Sequence, residues 1–474
     1  MLSRRAVILG ALATSAGLRT ARAQAAPEAG AAPRTILRLE RRSIEVMGRP
    51  ASVFGIRQPD GTFGIITEIG RRFRVRVENG IDEPSLIHWH GLTPPWRQDG
   101  VPGISAPPIP PGHSADYDFP LRFGGTFWMH SHQGLQEQLL MSAPLIIRDQ
   151  RDRRDQQEIV VTLADFSFTP PAEIFAKLKR GTGMAMAGRR SAPGNAMSGM
   201  SAAAKPDLND VEYDAFLAND RTLADPEIVK VEPGGRVLLR IINASSMSAY
   251  HIDLSRLEGE LTAVDGSAVE PVAGRRFPIA VAQRLDIGVT IPSGSAAYPV
   301  LAVLEGERKQ TGIVLAAGSG KVARISELAT MPSSALTLDL EGRLRAVQPL
   351  SPRKADRMHR LDLTGEMAGY RWSINDVVWN KDVPALPLAK GERVELLIVN
   401  RTPMSHPMHL HGHQFQVIEI DGRRFPGAVR DTVLVPPGRR VVVAFDADNP
   451  GLWAFHCHLL YHLEAGMFTT FRYV

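Results

Sequence analysis

Ten of the fourteen histidines fall into four short clusters. These are His88-Trp-His90, His130-Ser-His132, His406-Pro-Met-His409-Leu-His411, and His456-Cys457-His458 followed by His462. The only cysteine of the chain, Cys457, sits inside the last cluster, and Met467 lies ten residues beyond it. One H-x-H pair is weak evidence for a metal, because most histidines are surface or satisfied core residues. Four pairs with a thiol and a spaced thioether leave little room for coincidence. Imidazole alone would suit zinc or iron, whereas thiolate and thioether ligands select copper. The chemistry to expect is one-electron transfer rather than hydrolysis.

The spacing carries a geometric message. Side chains of a strand alternate faces, so residues i and i+2 share a face about 7 Å apart. Each H-x-H therefore aims two imidazoles the same way, and four pairs give eight ligands to one cluster. In His456-Cys457-His458 the same rule turns Cys457 away from its neighbours, towards a different site. His406 has opposite parity to His409 and is a candidate partner for Cys457, as are His462 and Met467. Two histidines, a thiolate and a weak axial methionine make a blue-copper electron-transfer site. One or two residues of backbone would then join the two sites, a reach on the order of ten ångströms.

The elements that must hold these ligands are repeated. Gly70-Arg-Arg-Phe-Arg-Val-Arg-Val-Glu-Asn79, Gly234-Gly-Arg-Val-Leu-Leu-Arg-Ile-Ile-Asn243 and Gly391-Glu-Arg-Val-Glu-Leu-Leu-Ile-Val-Asn400 share Gly, an apolar β-branched run and a closing Asn. The copies lie roughly 160 residues apart, a domain-sized period rather than a solenoid one. His88-Trp-His90 follows the first copy and His409-Leu-His411 the third, while the second is followed by His251-Ile-Asp253. Pro111-Gly112 precedes His130-Ser-His132 as Pro437-Gly438 precedes His456-Cys-His458. The reading is an all-β chain of three similar Greek-key sandwiches with ligands confined to the first and third. Turn signals every 8–12 residues fit a sandwich.

Composition agrees. The 474 residues suit three domains at about 150 residues each. The 42 Gly and 35 Pro favour strands joined by turns. We expect domains at 35–155, 156–320 and 350–474, with 318–356 as a linker. An insertion at 181–206 in the second domain carries Met184, Met186, Met197 and Met200.

The first residues read as a targeting segment. Arg4-Arg5, an apolar run from Ala6 to Leu18 and Ala21-Arg22-Ala23 predict a twin-arginine signal peptide over 1–25, and hence export to the periplasm. That run is too short to span a bilayer, and no later stretch is long enough. The net charge of +5 owes four arginines to this segment, so it makes no case for nucleic acid as a partner. One cysteine allows no intramolecular disulfide, and a lone thiol in an oxidising compartment needs an occupant.

The motifs resemble those of multicopper oxidases. The likeness rests on Leu86-Ile-His-Trp-His-Gly91, Thr126-Phe-Trp-Met-His-Ser-His132, His406-Pro-Met-His-Leu-His-Gly-His413, and His456-Cys-His-Leu-Leu-Tyr-His462 through Met467. With the repeats it covers about 40–470. Gln136-Glu-Gln138, Tyr461 and Glu464-Ala-Gly-Met467 look like the bacterial copper-resistance branch, close to laccases. The resemblance implies three cupredoxin-like domains and four copper ions. It implies His88 and His409 at a type 2 copper. His90, His130, His132, His411, His456 and His458 would hold a type 3 pair, and His406, Cys457, His462 and Met467 a type 1 copper. His113, His251, His359 and His413 match no ligand position.

The implied reaction takes single electrons near an exposed histidine edge of the type 1 site. They pass through Cys457 to the cluster, where O2 becomes two waters. Protons are needed there, and Asp99 matches the family's acid, although an aspartate before Gly100 is also an ordinary turn residue. A second family acid directly follows the last histidine. Here Leu463 stands in that place and Glu464 comes next. The substrate is expected to be Cu(I), phenolic compounds or both, and the working unit a monomer. The rival reading is a periplasmic protein that sequesters copper with little turnover.

Overall fold

The computed structural model describes residues 34–150, 155–181 and 208–474. The predicted signal peptide at 1–25 and, apart from Gly181, the predicted insertion lie outside them. Thr35–Val474 forms one compact unit.

Six sheets pair into three sandwiches. The first joins a sheet of Arg49–Arg57, Thr35–Val46, Arg72–Asn79 and Ser114–Pro120 to one of Ile65–Glu68, Ser142–Arg148, Gly125–Ser131 and Ile87–His90. The second has six strands, between Gln157 and Thr290, facing five between Ile228 and Ala317. The third sets a sheet centred on Arg393–Asn400 and Arg440–Asp446 against one centred on Leu452–Cys457. In each sandwich the first long strand pairs in parallel with the strand of the repeat, as Thr35–Leu39 does with Val75–Asn79. A parallel pair among antiparallel strands demands a crossover, so the chain alternates between sheets instead of running as simple hairpins.

The three closing asparagines explain why the repeat is legible. The Asn79 side-chain amide donates to the carbonyls of Glu83 and Ile109, while its oxygen accepts from the Ile81 amide. Asn243 does the same with Ser248, Ile279 and Ser245, and Asn400 with Met404, Val435 and Thr402. Each caps a strand, closes a tight turn and satisfies backbone groups that burial would otherwise leave unpaired. Losing one such side chain would cost about 1–3 kcal/mol per stranded group. The repeat is thus a corner device common to all three sandwiches, and the H-x-H pairs lie beside only two of the corners.

The sandwiches meet closely. A side chain at Gly125 would meet the backbone of Gly266, and one at Gly451 would meet Trp96. The segment expected to be a linker is packed into the molecule. Leu336, Leu338 and Leu344 are buried, and Glu341 from its short helix Asp339–Arg343 pairs with Arg430 of the third sandwich. No helix among the described residues is long and apolar enough to cross a membrane.

Candidate metal centre

Two strand pairs position the clustered histidines. Ile87–His90 runs antiparallel to Gly125–Ser131 with His88 opposite His130. His406–Leu410 runs antiparallel to Leu452–Cys457 with His409 opposite His456 and Met408 opposite Cys457. Each terminal sandwich therefore offers four imidazoles from one sheet, and the two sets face each other.

The eight imidazoles fall into three groups. His88 Nε2 lies 3.4 Å from His409 Nε2. Their Nδ1 atoms are held by backbone carbonyls, His88 by Asp99 at 2.8 Å and His409 by Asp431 at 2.9 Å. His456 Nε2 lies 2.9 Å from His411 Nε2 and 3.3 Å from His132 Nε2. In the third group His90 Nδ1, His130 Nε2 and His458 Nε2 are buried ring nitrogens with no hydrogen-bond partner. Buried polar atoms are almost always paired, so these three and the close nitrogen pairs mark places where cations fit.

Electrostatics point the same way. Burial, reinforced by neighbouring imidazoles, drives the proton affinity of His90, His130, His132, His411, His456 and His458 well down, and that of His409 down. Neutral imidazole is the form that ligates metal.

The second site lies across the strand Leu452–Cys457. Cys457 Sγ is 3.6 Å from His406 Nδ1 and 3.9 Å from His462 Nδ1, and these two nitrogens are 3.2 Å apart. The outer nitrogens are tied off, His406 Nε2 by Thr402 Oγ1 at 2.6 Å and His462 Nε2 by Asp210 Oδ2 at 2.8 Å. Met467 is fully buried, and its backbone bonds to both Cys457 and His462. Burial pushes the Cys457 thiol up, so without a cation beside it the thiolate would be disfavoured. A soft donor set that is buried and convergent fits copper.

One expectation fails here. The histidine edge where a reductant was expected to dock is not exposed. His462 is fully buried, with Asp210 on its Nε2 and Trp372 stacked on its ring at 3.9 Å between centroids. Asp210 follows the poorly patterned stretch after the insertion, and nothing in its spacing ties it to His462.

The acids divide. Asp99 is buried, with Oδ2 at 2.9 Å from His411 Nδ1 and Oδ1 at 3.3 Å from His88 Nδ1. Glu464 is exposed and lines a small cleft with His130, His132, Glu137, His456, His458 and Leu463. Inside that cleft Glu137 Oε2 lies 2.9 Å from His130 Nδ1, and burial raises its carboxyl well above the usual range. In the sequence Glu137 stands out only as part of a branch motif. Asp431, whose Oδ1 is 3.0 Å from His90 Nε2, does not stand out at all. An aspartate ahead of a short strand has no periodic signature, and its partner is over three hundred residues away in the chain.

With this geometry in hand, comparison with known proteins gives a consistent result. Three family models, each described as multicopper oxidase, match residues 52–152, 159–317 and 352–474. The chain is 32% identical to the multicopper oxidase MmcO of Mycobacterium tuberculosis over 86% of its own length and 80% of that protein's. It is 27% identical to copper resistance protein A of Escherichia coli over 85% and 86%. Among solved structures, a laccase from Botrytis aclada matches with a TM-score of 0.76 at 21% identity, covering 93% of this chain and 88% of that one. A multi-copper oxidase from Pseudomonas thermotolerans matches with 0.69 at 24% identity, covering 93% and 99%.

Proposed function

Because this chain belongs to the multicopper oxidase family, we propose that it couples one-electron oxidation of Cu(I), phenolic compounds or both to four-electron reduction of O2, in copper resistance. The observation that carries the reading is the junction at residues 456–458. Cys457 lies with His406 and His462, while His456 and His458 lie among the other imidazoles. Sites joined in this way suit transfer of electrons rather than storage of metal, which favours turnover over sequestration.

The contacts support a division of roles. Cys457, His406, His462 and Met467 would hold a type 1 copper, and His88 with His409 a type 2 copper. His132, His411 and His456 would hold one type 3 ion and His90, His130 and His458 the other. Four copper ions so held would supply single-electron acceptance at the thiolate and reduction of O2 to two waters at the cluster. The protein's own contribution is separation and proton supply. The Cys457 thiolate and the backbone to His456 and His458 give a covalent path, so a reductant need not meet oxygen intermediates. Asp99 accepts at Oδ2 from His411 Nδ1–H, and its buried Oδ1, which has no hydrogen-bond partner, is the oxygen placed to take up a proton. Glu464 stands at the mouth of the cleft and Glu137 inside it, an order that suits delivery of protons from solvent.

A single chain supplies every ligand, which suits a monomer. The likeness to copper-resistance proteins and the twin-arginine pattern support a periplasmic location. For the substrate, the support is position. Phe175, ahead of the Met-bearing segment, packs against Tyr461 and Tyr370, and Asp210, just after it, binds His462. Thioethers are soft ligands suited to Cu(I). The test is a copper count with an absorption spectrum on the purified protein. About four coppers and an intense blue thiolate band support the reading, and a colourless protein would remove it.

A further inference from the structure

The second sandwich carries no ligand, yet it reaches the cluster. Arg284 begins its strand Arg284–Thr290 and is completely buried at the meeting point of all three sandwiches. Its Nη1 donates to Asp431 Oδ1 at 2.8 Å and its Nη2 to Asp431 Oδ2 at 2.5 Å, a two-pronged bond into the third sandwich. Its Nε donates to the Thr126 carbonyl of the first sandwich at 3.2 Å. Asp265 supports it from within the second, with Oδ1 3.7 Å from Nη1.

Asp431 in turn decides which nitrogen two histidines present. Its carboxylate takes His90 Nε2 and leaves His90 Nδ1 bare, while its backbone carbonyl takes His409 Nδ1 and leaves Nε2 facing His88. The two histidines come from different terminal sandwiches and turn opposite edges to the cluster. Their rings stack at 3.8 Å between centroids. The pair has had space cleared for it. A side chain at Gly91, directly after His90, would lie 2.5 Å from Arg284 Nη2 and 2.7 Å from Asp431 Oδ2, and Gly91 has a φ of +88°.

We propose that Arg284 is a positioning residue for the cluster. By clamping Asp431 it fixes the ring orientation of His90 and His409, so the ligand-free sandwich sets the geometry of a site built by the other two. This rests on the assignment of His90 and His409 as copper ligands. A guanidinium suits the task because its planar fork fixes both carboxylate oxygens at once, which an ammonium cannot do. Groups that orient ligands from behind commonly change metal affinity or activity 10- to 100-fold when removed.

Arg240 is the matched control. It is equally buried in the second sandwich and also reaches the first, donating to Thr126 Oγ1 at 3.0 Å, but its acids are Asp286 and Glu158 rather than a residue holding a histidine. The experiment compares copper content, the type 2 electron paramagnetic resonance signal and blue absorption in Arg284→Gln, Arg284→Lys, Asp431→Asn and Arg240→Gln. The expected result is an altered type 2 signal, with copper affinity of the cluster reduced at least tenfold, in Arg284→Gln and Asp431→Asn. Blue absorption should persist in both, Arg284→Lys should fall between, and Arg240→Gln should keep the unaltered signal. An unchanged type 2 signal in Arg284→Gln would overturn the proposal. So would the same change in Arg240→Gln, which would reveal general loosening between sandwiches. If Arg284→Gln does not fold, Asp431→Asn and Arg284→Lys decide the matter by the same signal. Parent protein lacking the type 2 signal would instead refute the copper assignment on which the proposal rests.

Discussion

Asp210 places Oδ2 2.8 Å from His462 Nε2, and its side chain is wholly buried. The same oxygen accepts from the Tyr370 hydroxyl at 2.5 Å. The His462 imidazole of the thiolate site is therefore covered by a carboxylate, a phenol and the Trp372 ring rather than by solvent.

A buried negative group beside His462 should stabilise the more highly charged state of a copper held there. Asp210→Asn is expected to move the reduction potential of the blue site to a more positive value and to leave the copper content equal to the parent's. Redox titration of the blue absorption checks this. A potential unchanged from the parent would mean that Asp210 only packs the site.

Asp99 contacts imidazoles from both terminal sandwiches, His88 and His411, but none at the thiolate site. Asp99→Asn should slow reoxidation by O2 about a hundredfold, the lower end of the usual scale of lost general acid–base catalysis, and leave the blue colour intact. Stopped-flow mixing of reduced protein with O2 measures it. Unchanged turnover at saturating O2 would remove Asp99 from the mechanism.

Phe175, before the Met-bearing segment in the chain, packs on Tyr461, and Asp210, after it, bonds to His462. Deleting 184–200 should lower cuprous oxidation and spare or raise phenol oxidation, since soft thioethers matter only to the metal. Side-by-side assays of the two substrates check this, and equal loss of both would make the segment purely structural.

Glu305 gives a prediction in pH. Burial raises its carboxyl from 4.5 to about 7, against the opposing bond from the Leu336 amide. Between those values the folded protein keeps a proton that the unfolded chain has lost. Stability is therefore lost as pH rises through that window, by on the order of 3 kcal/mol. Glu305→Gln has no charge to bury, so its melting temperature relative to the parent should climb from pH 5 to pH 8. A constant difference across that range would contradict the assignment.

Much of this site is legible in the amino-acid sequence. Strand parity separates Cys457 from His456 and His458, and the Gly-to-Asn repeat locates three corners, because both depend on local period and on backbone needs that recur. The residues behind the ligands are not legible there. Arg284, Asp431 and Asp210 act through partners on other sandwiches, Glu137 acts on His130 of its own sandwich, and the neighbours of all four in sequence carry no alternation or spacing that signals it. The buried edge of His462 is hidden for the same reason, since its cover comes from Asp210, two hundred and fifty-two residues earlier in the chain. The stretch 318–356 looks like a linker because its Gly, Ser and Pro content masks Leu336, Leu338 and Leu344, which pack between sandwiches.

The central claim is that residues 456–458 join an electron-accepting site to an oxygen-reducing one. Oxygen uptake by the copper-loaded protein during oxidation of excess Cu(I), with peroxide assayed in the same vessel, tests it most directly. About one O2 should be consumed for every four electrons delivered, with no peroxide released, as reduction to two waters requires. Copper-loaded protein that consumes no O2, or that returns it as peroxide, would contradict it.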